Sequence, residues 1–93
     1  MKEFNLGQAV YYCHCYGDSY GNKPYRWGYV RAGFINNKQY IEARNQYIYT
    51  VGTLNPFNSA EIVYKTLGPH LIFEYGKYEE TLEKVKELCE EVE

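Results

Sequence analysis

The sequence predicts an α+β fold that is mainly β: a small antiparallel barrel or strongly bent sheet, followed by a C-terminal helix over about residues 77–91. Three observations predict it. Short runs of aromatic and β-branched residues recur between clusters of Gly, Asn, Asp and Pro, the pattern of strands joined by turns. Near the C-terminus the apolar period changes to alternate steps of four and three, which is helical. The length of 93 residues suits one domain (1–93) around a single core, burying about two-thirds of the unfolded surface.

The elements follow in order. Gln8 to Tyr16 is rich in strand formers and is stopped by Gly17-Asp18. Gly17 to Pro24 carries turn residues and reads as a loop. Strand character resumes from Trp27 to Ile35. Asn36-Asn37 tolerate positive φ and predict a tight hairpin turn, with Tyr40 to Ala43 as the returning strand and Tyr47 to Leu54 as the next. Asn55-Pro56-Phe57-Asn58 breaks the pattern. Glu61–Leu67 and Leu71–Tyr75 are short further strands around Gly68-Pro69, although Ser59 as an N-cap also allows a helical turn over Ser59–Leu67.

The C-terminal helix rests on Tyr78, Leu82, Val85, Cys89 and Val92, which share one helical face. Glu79 and Glu80 favour its first turn, and Glu80–Lys84 and Lys86–Glu90 are spaced to pair. The apolar stripe is expected to cover the sheet. It is too short for an independent coiled coil, and a helix-mediated dimer is the alternative.

Chemistry concentrates between Tyr16 and Arg31. Tyr16, Tyr20, Tyr25, Trp27 and Tyr29 lie among Lys23, Arg26 and Arg31, and rings beside cations form a surface for planar or anionic groups. On a strand Trp27, Tyr29 and Arg31 share one face, opposite Gly28 and Val30. Tyr20 and Tyr25 are expected to wall that face, and the partner-binding set is Tyr20, Tyr25, Arg26, Trp27, Tyr29 and Arg31. The face is available if Val30 is core and the helix packs opposite; if the helix covers Trp27 and Tyr29, they are a second core.

Catalysis and metal binding are not expected. Gly17-Asp18-Ser19-Tyr20-Gly21 matches a nucleophile-elbow string, but that chemistry needs a strand–turn–helix, and here strands flank it. In Cys13-His14-Cys15 the histidine points away from both thiols, so it activates neither. Zinc would have to recruit Cys89 and His70 at no recognised spacing, and the thiols read as small buried groups. The single Asp18 and the helix glutamates offer no cleft of paired carboxylates. No cofactor fingerprint is present. Three cysteines, no signal-peptide pattern and no long apolar run lead to the expectation of a cytoplasmic protein with no membrane partner.

The formal net charge of -2 is unevenly spread. Residues 1–57 hold six Lys/Arg against three acids, +3; residues 58–93 hold four lysines against nine glutamates, -5. A protein partner suits an aromatic-cationic face with an acidic helix beside it. Single-stranded nucleic acid is the alternative, opposed by the overall acidity. So is a nucleotide-like ligand held as by a sponge, across an oligomer interface. The chain is expected to be a monomer or small homo-oligomer.

The strings Phe4-x-Leu6-Gly7-x-x-Val10-Tyr11-Tyr12 and Trp27-Gly28-Tyr29-Val30-x-x-Gly33-Phe34-Ile35 resemble the opening strands of SH3-like small β-barrel proteins, in particular those of phages and mobile elements. The resemblance covers about residues 4–35. It implies a barrel that binds protein, RNA or DNA, and a role as a small inhibitor or regulator, for example a phage-encoded counter-defence protein such as an anti-CRISPR.

Overall fold

The computed structural model describes residues 3–18, 21–55, 57–58 and 60–93. Its strands are β1 (Ala9–Asp18), β2 (Tyr25–Ile41), β3 (Gln46–Leu54), β4 (Ile62–Leu67), β5 (Ile72–Glu74) and β6 (Cys89–Val92); one helix, α1 (Tyr78–Lys86), precedes β6. The order across the sheet is β4-β3-β2-β1-β5, with antiparallel neighbours, and β6 joins β2 in parallel. β4 and β5 end this order without pairing to each other among the described residues. The mainly β, α+β class is therefore realised as an open sheet, not a closed barrel.

β1 lies at the centre of the core. Val10, Tyr11, Tyr12 and Cys13 are buried in succession, which requires cover on both faces of the strand. Alternation and register place Val10 and Tyr12 with Ile35, Val51 and Ile72 on one side. There the Phe4 amide donates to the Tyr49 hydroxyl at 3.1 Å and the two rings meet edge-on. Tyr11, Cys13 and Val30 face the other side with Phe73, under Val85 of α1 and Cys89 of β6.

Two sequence expectations are corrected. Asn36-Asn37 does not turn the chain: β2 continues to Ile41, and the extra residue is taken up as a bulge between Ile35 and Asn37. The turn falls at Glu42–Arg44, where Asn45 adopts φ 50° and accepts a hydrogen bond from the Tyr40 hydroxyl. Tyr40 and Ile41 thus extend β2 and pair with Tyr47 and Gln46. The open choice at Ser59–Leu67 resolves as strand over Ile62–Leu67; Ser59 itself lies outside the described residues.

The second correction is the helix length. α1 stops at Lys86, and Cys89–Val92 forms β6 along Tyr25–Gly28 of β2. The free edge of β2 offers backbone partners that a longer helix would leave unpaired: Tyr25 N–H donates to Leu88 O at 3.1 Å and Glu93 N–H to Gly28 O at 3.0 Å. Cys89 then reaches the core beside Cys13. Gly28 makes this possible, because a Cβ there would lie 2.5 Å from Cys89 Sγ and 3.2 Å from Cys13 Sγ.

Candidate functional site

The register of β1 against β2 builds an aromatic row on one side of the sheet. Tyr16 pairs with Trp27, His14 with Tyr29 and Tyr12 with Arg31. The Tyr16 ring meets Trp27 edge-on at 5.6 Å, and His14 lies 5.2 Å from Tyr29 and 5.8 Å from Tyr16 between centroids. Arg31 sets its guanidinium carbon 4.4 Å from the Tyr29 centroid and donates from Nη1 to Val30 O at 3.0 Å. Arg26 lies 5.4 Å from the Trp27 ring. Trp27 is 42% exposed.

The expected orientation of this strand is the observed one. Val30 is buried, and Cys89 packs against Gly28, so the side that α1 covers is opposite Trp27 and Arg31; β6 itself runs beside β2 in the sheet, with Glu91 paired to Trp27. Tyr25 is a correction. Its ring lies on the thiol side, near Cys15 and with its hydroxyl 3.5 Å from His70 Nε2, and it does not wall the Trp27 face. Tyr20, the other expected wall, lies outside the described residues, as does Ser19 of the Gly-x-Ser-x-Gly string.

Beside the row is a cavity of about 230 Å³. Tyr12 and Thr53 form its polar part, Tyr29 and Val63 its walls, and Arg31 and Lys65 its cations. Among the described residues no lining side chain is acidic. Burial pushes the Tyr12 hydroxyl up, with a hydrogen bond to Thr53 and the Arg31 charge acting against it. Burial, and then the Lys65 charge, hold the His14 imidazole below its ordinary value.

The thiols lie on the other face and stay protonated. Burial raises Cys13 far above the ordinary thiol range, and raises Cys15 and Cys89 too. Cys13 and Cys89 are fully buried, and all three are free. No group of three or more His, Cys, Asp or Glu is placed to hold a metal ion among the described residues. Nor is any helix there long and apolar enough to cross a membrane.

The expected partner-binding set left out Tyr12, His14, Tyr16, Thr53, Val63 and Lys65. Tyr16 and His14 were within reach of a register argument, because a hairpin symmetric about Gly21-Asn22 opposes them to Trp27 and Tyr29. Thr53 and Lys65 carry no local signal; the sheet order β4-β3-β2 brings them to Arg31. No protein-family model, curated protein or solved structure matches the chain.

Proposed function

We propose that this protein is a non-enzymatic protein–protein interaction module, an inhibitor or regulator, that engages an acidic segment of its partner through the Trp27/Tyr29/Arg31 face. The observation that carries this reading is the exposure of Trp27 and Arg31 on the side away from the acidic helix. Trp, Tyr and Arg are the residues that dominate interface hot spots. Their packing favours protein over a single nucleic-acid strand. Arg31 already covers one face of Tyr29, and Tyr16 abuts Trp27, so these rings are held in place rather than open for successive bases to stack upon. Side chains held before binding lose little entropy on association. A counter-defence inhibitor is the form that the SH3-like resemblance suggests.

The test is affinity capture, identification of the partner, and titration of the two purified proteins against Trp27→Ala and Arg31→Ala variants. Each substitution is expected to weaken binding by about tenfold or more, the loss of about 1.4 kcal/mol typical of an interface anchor. Full affinity in both variants would retire the face. Oligonucleotide binding that weakens with salt and is lost in both variants would replace the protein partner by nucleic acid.

A further inference from the structure

We infer that the cavity beside Arg31 is a socket for one acidic side chain of the partner, whose carboxylate is held between Arg31 and Lys65. The inference rests on the interaction-module reading and names the residue type that it recognises.

The size suits a single side chain. Sites that engulf small molecules run to roughly 300–1,000 Å³, whereas this cavity is about 230 Å³. A whole nucleotide exceeds it, while a single side chain fits. The chemistry then selects the side chain. Arg31 and Lys65 both line the cavity, and neither forms an ion pair among the described residues. Two like charges in one small recess disfavour each other, and a carboxylate between them removes that cost. Arg31 is already aimed: one N–H is tied to Val30 O and its plane lies over Tyr29. The rest of its five donors remain for a two-pronged contact with a carboxylate. The Tyr12 hydroxyl lines the cavity as a further polar group, Thr53 Oγ1 being committed as a donor to Ala32 O at 2.8 Å, and Val63 supplies an apolar wall for the methylenes of the incoming residue. Glutamate matches this layout, with its charge one methylene farther from the backbone than in aspartate.

The experiment is a nitrogen–proton chemical-shift titration of the full chain with three probes: acetyl-Glu-Leu-amide, acetyl-Gln-Leu-amide and a thymidine dinucleotide. The Glu peptide is expected to move the backbone amides of Arg31, Thr53 and Lys65, and the Gln peptide to bind roughly tenfold more weakly. Lys65→Gln and Arg31→Gln are each expected to abolish that discrimination, with the dispersed spectrum reporting that the variant is folded. Absence of shifts at these amides, equal binding of the Glu and Gln peptides, or discrimination that survives in both variants would overturn the socket. Tighter binding of the dinucleotide at the same amides would overturn it in favour of phosphate. The titration needs no partner, so its outcome is read separately from the partner-binding test. A failed titration alongside partner binding that Trp27→Ala weakens removes the socket alone.

Discussion

His14 stands where the aromatic row meets the cationic cavity, with its ring against Tyr16 and Tyr29 and the Lys65 charge nearby. Burial and that charge hold its pKa below the ordinary histidine value of about 6.5. A histidine depressed in the folded state takes up its proton later than the unfolded chain does. Its contribution to stability is therefore full above about pH 6.5 and declines as pH falls from there through the folded-state pKa. Lys65→Gln is expected to raise the His14 pKa, read from its imidazole proton shifts; an unmoved titration would show that Lys65 does not act on His14. Gly28 is the second residue on which the arrangement turns. Gly28→Ala places a methyl group against both Cys89 and Cys13 sulfurs. It is expected to cost about 1–3 kcal/mol in urea unfolding, and wild-type stability would show that β6 does not pack there. In the sequence Gly28 reads only as a small residue in a strand, because the sulfur that forbids a side chain comes from the far end of the chain.

Among the elements, β6 separates local from tertiary information most clearly. Val85 and Cys89 are four apart and suit a helical face, and both are buried, so the apolar pattern is satisfied whether the chain stays helical or turns into a strand. The unpaired edge of β2 decides for strand, since hydrogen bonds along a neighbouring strand outweigh the few tenths of a kcal/mol per residue in helix propensity. Truncation after Leu88 is expected to lower stability by about 2–4 kcal/mol through loss of the buried Cys89 and the ladder bonds. An unchanged urea midpoint would mean that the strand contributes nothing. The long β2 makes a related point. Asn36-Asn37 carries the chemistry of a turn, yet Lys38 to Ile41 finds partners across in Gln46 to Tyr49, and pairing absorbs the extra residue as a bulge. β3 and β5 were legible because strand formers lie beside strong breakers, Asn55 and Gly68-Pro69, whereas Gly17-Asp18, expected to stop β1, lies within it, and the choice at Ser59–Leu67 stayed open in the sequence.

For the whole molecule, the open sheet separates two surfaces. α1 places its glutamates behind the sheet, while Arg31 and the exposed Trp27 stay in front; β6 lies beside β2, where Glu91 pairs with Trp27. That separation underlies the proposed binding of an acidic segment, because an acidic helix over Trp27 would have cancelled the attraction. Lys65 is the exception to the uneven charge along the chain: it comes from the acidic half and joins Arg31 at the front, across β3.

The sequence by itself determined the mainly β class, the helix after the strands, and the shared face of Trp27, Tyr29 and Arg31, because periodicity and breakers act over a few residues. Only the tertiary structure decided that the sheet stays open, that residues 89–92 leave the helix, that Tyr25 turns away, and that Lys65 meets Arg31. Each of these depends on backbone edges or side chains that are distant in the chain, and no local pattern encodes which of them will meet.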